Sequence, residues 1–191
     1  MRISSGALPV AHDAWAGPPR IGPLRLTADN AAVGFAIRFL RLVTIRGKFG
    51  RIDGELSYDE SKPVALSLIA RVPVASISTG NRLRDAHLRS ARWFDARHHS
   101  HIELRASQAE RREGRMRVVG TVKLRGREAP VVIRCSTDSD DTGAQVLVGR
   151  LTLARAPYGV GPPPYGVARR DPRAYLVDDA VSVELRLRLA R

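Results

Sequence analysis

The sequence predicts an all-β domain, a sandwich or an antiparallel up-and-down barrel of eight or nine strands with one short helix. Three observations carry this. Apolar and polar residues alternate in segment after segment. The alternation is clearest at 181–189, where Val181, Val183, Leu185, Leu187 and Leu189 share one face and Ser182, Glu184, Arg186 and Arg188 the other. Short turns rich in Gly, Pro, Asn and Asp separate the segments. The period of two breaks in one place, Ser76–Asp95, where Leu83, His87 and Ala91 recur at helical spacing behind the turn and cap formers Thr79, Gly80 and Asn81.

In chain order, residues 1–20 read as a flexible N-terminal arm with Trp15 its one anchor. The folded domain is 21–191. Leu24, Leu26 and Ala28 alternate with polar residues, and a turn at D-N-A-A leads into a long strand, Val33 to Val43, with Phe35, Ile37 and Phe39 on one face. G-K-F-G at 47–50 is expected to bend sharply. R-I-D-G-E-L-S-Y-D is a third strand, with a bulge or kink expected at Gly54. In Val64–Val74, Leu66, Leu68, Ala70 and Val72 share a face, and Pro73 marks an edge, a bulge or an end, since it cannot donate to a ladder.

Beyond the helix, Ile102, Leu104 and Ala106 point inward. So do Met116, Val118, Gly120, Val122 and Leu124, and then Val131, Ile133 and Cys135. Glu110–Gly114 and R-G-R-E are turns, and D-S-D-D-T-G at 138–143 is a turn that lacks the ligand spacing of a calcium loop. Leu151, Leu153 and Arg155 follow on one face. Residues 156–178 form a Pro-rich loop in which P-Y-G-V occurs twice. It is either a lid or binding loop or a solvated flap.

The chain has 191 residues, a net charge of +13 and one cysteine, Cys135, so no intrachain disulfide forms. The charge is arginine, with lysine only at Lys48, Lys62 and Lys123. It is either a basic patch for an anionic partner or a solvated surface that reflects coding composition. No segment reaches the ~20 apolar residues of a membrane span, and the first twenty residues lack an apolar signal core, so a cytoplasmic protein is expected. Nucleophile elbows, phosphate loops and zinc-protease motifs are missing, which makes an enzyme the weaker class. His99 and His101 share a strand face without a third ligand, so no metal site is expected. Asp85 and Arg89 stand four apart, at the spacing of a helical ion pair. Trp93 and Phe94 are the anchoring rings of a plug that closes one end of the fold.

Around the helix, Ser76-Ile77-x-Thr79-Gly80-Asn81, Arg84-Asp85-x-His87-Leu88-Arg89-Ser90 and Phe94-Asp95 resemble the signature of the YceI-like family. G-F-A-I-R-F-L at 34–40, G-K-F-G-R-I-D-G-E-L at 47–56, G-T-V-K-L-R-G-R-E-A-P-V at 120–131 and L-T-L-A-R-A-P-Y-G-V at 151–160 extend the resemblance over 22–190. It departs from the family pattern at Phe39, Trp93, Ser100 and Ala154.

The resemblance implies a lipocalin-like β-barrel of about eight strands with a short helix near one end. It also implies non-catalytic binding, transport or sequestration of a polyisoprenoid or isoprenoid quinone, with no cofactor. The expected cavity lining is Phe35, Ile37, Phe39, Leu66, Leu68, Val72, Trp93, Phe94, Ile102, Leu104, Val118, Val122, Leu124, Val131, Ile133, Leu151, Leu153, Val183, Leu185 and Leu187. Arg84, His87 and Arg155 are the candidate polar contacts. The expected partner is the lipid, with no specific nucleic acid and no transmembrane segment. Peripheral contact with anionic membrane and a homodimer contact through an edge strand or the Pro-rich loop complete the expectation. The alternative is a cytoplasmic binding module that uses its basic surface on anionic membrane or nucleic acid.

Overall fold

A computed structural model describes residues 18, 20–40, 42–62, 65–112, 114–162 and 177–189. Most of the expected N-terminal arm and residues 163–176 of the Pro-rich loop lie outside the described residues.

The described residues form one antiparallel sheet of eleven strands and one α-helix. The strands are β1 (Arg20–Leu26), β2 (Ala31–Phe39), β3 (Val43–Phe49), β4 (Asp53–Asp59), β5 (Leu66–Pro73), β6 (Ile77–Ser78), β7 (His101–Arg112), β8 (Arg115–Leu124), β9 (Arg127–Ser139), β10 (Gln145–Ala154) and β11 (Val177–Arg188). The helix α1 is Arg82–Arg89. The order across the sheet is β1-β4-β5-β7-β8-β9-β10-β11-β2-β3-β6.

Two short connections force this sheet to curl. Val74–Ser76 joins β5, third in the order, to β6, which is last. Residues 50–52 join β3, tenth, to β4, second. Eight strand spacings in a flat sheet would measure about 38 Å, whereas three intervening residues reach at most about 15 Å. The two ends of the sheet must therefore come together. The connections also bond to each other, the Gly50 N–H donating to the Ser76 carbonyl at 2.9 Å. No ladder joins β1 to β6 among the described residues.

Several expectations are corrected here. The strand count is eleven, not about eight, and the order is not a simple up-and-down sequence, because β1 pairs with β4 and β2 with β11. The expected strand Val33–Val43 is a hairpin. It turns after Phe39, where the Leu42 N–H donates to the Phe39 carbonyl. The bend expected in G-K-F-G does come there, at its last residue Gly50, while Gly47 lies inside β3. Gly54 is no bulge: it pairs in register with Leu26 on one side and Ala70 on the other. A Cβ there would sit 2.1 Å from the Ile69 carbonyl oxygen, so close strand approach demands glycine. The actual bulges are at Ile21/Leu24 and Ala106/Gln108. Pro73 ends β5, as one of its expected roles had it.

The interior divides along the strand direction. At one level Leu26, Leu56, Leu66, Met116, Val118, Val131, Ile133 and Cys135 are buried in a continuous packed core. Cys135 behaves as a small hydrophobe there, and burial pushes its thiol up to about 12. Further along the same strands, toward α1, the interior is hollow.

Candidate functional site

The hollow is a cavity of about 670 Å³, within the range of pockets that enclose drug-sized ligands. Its walls are the continuation of the inward strand faces. β2 supplies Val33, Phe35, Ile37 and Phe39, and β3 supplies Ile45 and Phe49. Val72, Ile102, Leu104, Val122 and Leu124 come from β5, β7 and β8. Leu151, Leu153 and Ala154 come from β10, and Val177, Val181, Val183 and Leu185 from β11.

The fold closes over this cavity with the segment that breaks the strand pattern. Asn81 caps α1, its side chain accepting from the Arg84 N–H at 3.0 Å. The helix turns Arg84 and Leu88 toward the cavity and buries Asp85. Of the face expected to pack, Leu83–His87–Ala91, only His87 reaches the cavity, at its edge, while Leu83 is 85% exposed and Ala91 is exposed. Asp85 does not pair with Arg89 as its spacing suggested. It accepts from the Thr79 N–H at 2.8 Å and from the Thr79 hydroxyl. The Arg84 guanidinium donates to the same hydroxyl at 2.7 Å and to the Thr79 carbonyl at 2.8 Å. Thr79 thus clamps α1 from both charges. Trp93 and Phe94 line the cavity below the helix, Phe94 standing edge-on to Phe49 and Trp93 edge-on to His87. Trp93 also packs against Gly161, where a Cβ would lie 2.8 Å from the ring.

Against the end of the helical segment, joined to it by the Gly161 N–H donating to the Arg92 carbonyl at 3.0 Å, the turn Ala156–Tyr158 and the residues up to Pro162 form the remaining wall. Arg155 organises it. This 3% exposed side chain donates to the carbonyls of Val160 at 2.8 Å, Asp178 at 2.9 Å, Val177 at 3.0 Å and Pro162. Four of its five N–H groups are taken by backbone, so it fixes the wall more than it offers itself to a ligand. Burial lowers its pKa from the ordinary value, against the pull of Asp179 and Asp178. The Tyr158 ring lines the cavity, while its hydroxyl is buried without a hydrogen-bond partner among the described residues.

Among the described residues, the lining carries Arg84, His87, Arg92 and Arg155 and no carboxylate. The charges sit on the helical segment and on the Arg155 turn, and the strand walls are apolar. Other titrating groups lie elsewhere. His98 Nδ1 is 2.9 Å from the Asp95 carboxylate and holds that carboxyl below its ordinary value. His101 Nδ1 is 2.8 Å from the Ser100 hydroxyl.

Of the residues singled out in the sequence, Phe35, Ile37, Phe39, Val72, Trp93, Phe94, Ile102, Leu104, Val122, Leu124, Leu151, Leu153, Val183 and Leu185 stand in the cavity wall, as do Arg84, His87 and Arg155. Leu66, Val118, Val131, Ile133 and Leu187 are buried in the packed core instead, and Leu68 packs against it. Val33, Ile45, Phe49 and Val181 were missed, although the same period of two reaches them. Leu88 and Arg92 carry no strand period, and Tyr158, Val160 and Pro162 belong to the Pro-rich loop, which the sequence marked as a lid or binding loop or a solvated flap without naming these residues as lining.

A family model described as the YceI-like domain matches residues 24–189. A UPF0312 protein of Vibrio cholerae is 31% identical over 105 residues, 54% of this chain and 56% of that protein, so the match spans about half the length of this curated relative. Among solved structures, BcnA of Burkholderia cenocepacia superposes with a TM-score of 0.69 at 20% identity, covering 82% of this chain and 94% of that chain. A polyisoprenoid binding domain from Saccharophagus degradans, implicated in plant cell wall breakdown, gives 0.62 at 14% identity, covering 88% and 98%. At these identities the structural likenesses show the fold.

Proposed function

The chain belongs to the YceI-like domain family, and on that premise we propose that it binds and carries or sequesters a long-chain amphiphile without transforming it. The ligand class is a polyisoprenoid or an isoprenoid quinone. The observation that carries this reading is the 670 Å³ cavity with apolar strand walls and its cationic groups held on the helical segment and the Arg155 turn. Such a cavity suits a molecule with one polar end and a long apolar tail. Each tail methylene moved from water into the cavity contributes about 0.8 kcal/mol, so a tail of many carbons binds tightly with few polar contacts. The head would lie against Arg84 and His87, where an acceptor-rich group meets donors in a lining that carries no carboxylate among the described residues. The polyisoprenoid-binding description of the Saccharophagus degradans neighbour supports the same class.

Native mass spectrometry of protein purified without denaturant tests this. A co-purifying lipid in the expected mass range, or one-to-one uptake of added octaprenyl phosphate or octaprenyl quinone, supports it. The proposal falls if the protein carries no lipid and takes up neither probe.

A further inference from the structure

The β2–β3 hairpin tip combines two unfavourable features at one place. Leu40 has φ of 53°, in the left-handed region that Gly, Asn or Asp normally fills. It is also 46% exposed, and Leu42 and Val43 beside it are 89% and 54% exposed. No described contact within the chain accounts for three large apolar side chains in water at a turn where a small polar residue would fit the backbone better. A strained and exposed apolar tip is the kind of local cost that persists where function requires it.

The flanks of the hairpin say what covers the tip. Arg38, Arg46 and Lys48 are exposed along its stem and make no hydrogen bond or ion pair with the described residues. Residues 31–52 contain no Asp or Glu. The nearest acids on the neighbouring strand are Asp178 and Asp179 at the start of β11. Asp179 accepts from the Ala156 N–H, and both interact with Arg155. Three exposed apolar side chains at the tip of a hairpin that carries cations and no acid are complementary to an anionic bilayer, with acyl chains for the leucines and head-group phosphates for the arginines. The tip also adjoins the cavity: Phe39 and its ladder partner Val177 both line it.

We propose that Leu40, Leu42 and Val43 insert into an anionic lipid surface and bring the rim of the cavity to the bilayer, so that the amphiphile passes between membrane and protein without crossing water. The transfer role rests on the reading of the cavity given above; the membrane contact stands on the hairpin alone.

Co-sedimentation of the full chain with vesicles of phosphatidylcholine, alone or mixed with phosphatidylglycerol, tests the contact. The wild type should partition onto the mixed vesicles and leave them as salt rises. Leu42→Ser should lower partitioning about tenfold, and Leu40→Gly with Leu42→Ser should abolish it. Val132→Ser, which removes a similarly exposed side chain from β9 (45%), should leave it unchanged. Failure of the wild type to bind the mixed vesicles, equal binding by the tip variants, or an equal loss with Val132→Ser would overturn the proposal. So would a dimer that the tip variants dissociate in the absence of any vesicle binding, which would assign the tip to a second copy of the chain. Uptake of octaprenyl phosphate from cyclodextrin, with no bilayer present, separates the two readings. Tip variants should take it up as the wild type does, and failure of the wild type in that assay counts against the cavity reading alone.

Discussion

The ring of Phe35 lies against Gly47, its directly opposed partner across the β2–β3 ladder: a Cβ on Gly47 would sit 2.3 Å from the ring's Cζ. The missing side chain lets the ring fold down onto the wall, where it meets Phe49 at 5.6 Å between centroids. Gly47→Val removes that space and drives Phe35 into the cavity. We expect a stability loss of about 1–3 kcal/mol in urea unfolding, together with weaker uptake of an octaprenyl probe. Unchanged uptake would mean that Phe35 does not limit the cavity.

Arg155 holds both sides of its turn through four backbone carbonyls. Arg155→Lys keeps the charge but loses the planar fork, and leaves several buried carbonyls without donors. The expected cost is about 3 kcal/mol or more, with hydrogen exchange accelerating first at the Val160 and Arg155 amides. A variant as stable as the wild type would show that the guanidinium is not what holds this wall.

Tyr158 presents the opposite case. Its hydroxyl is buried without a hydrogen-bond partner among the described residues, and burial pushes the phenol pKa upward. Tyr158→Phe keeps the ring in the cavity wall and removes an unsatisfied polar atom. It should be neutral or stabilise by about 1 kcal/mol, read as a higher thermal midpoint. A lower midpoint would reveal a partner for the hydroxyl.

Acid should loosen the β9–β10 turn. Hydrogen bonds from the Thr142 hydroxyl, the Ala144 and Thr142 amides and Arg188 hold the Asp140 carboxyl well below its ordinary value. A depressed carboxylate pKa contributes stability that is fully present above the unfolded value, about 3.9, and is lost as pH falls from there through the folded value. Asp59 and Asp95 shift in the same direction, through Ser61 and His98 respectively. Stability should therefore decline below about pH 4. Asp140→Asn should be less stable at neutral pH and lose less on acidification. An unaltered pH profile in that variant would exclude Asp140 as a contributor.

The strand faces were legible in the sequence because a pleated backbone alternates its side chains whatever surrounds it. That local rule identified Phe35, Ile37 and Phe39, the β8 series from Met116 to Leu124 and the β11 series from Val181 to Leu189 as inward. The helix at 82–89 was legible from its cap, Asn81, and from the broken period. Its buried face was not. The Leu83–His87 and Asp85–Arg89 spacings are both genuine helical relationships, whereas Ala91 lies beyond the end of the helix, and Thr79 competes with Arg89 for Asp85.

Local pattern, then, determined which face most of the strands present and where the helix among the described residues starts. Only the tertiary structure decided the level of each residue along the interior. Val118 and Val122 share a strand face and are alike in chemistry, yet the first is packed in the core and the second lines the cavity. Alternation specifies in or out. Packed or hollow depends on what arrives from across the curled sheet, and that is set by the two three-residue connections that bring its ends together and by the segment from Thr79 to Phe94 laid over the opening.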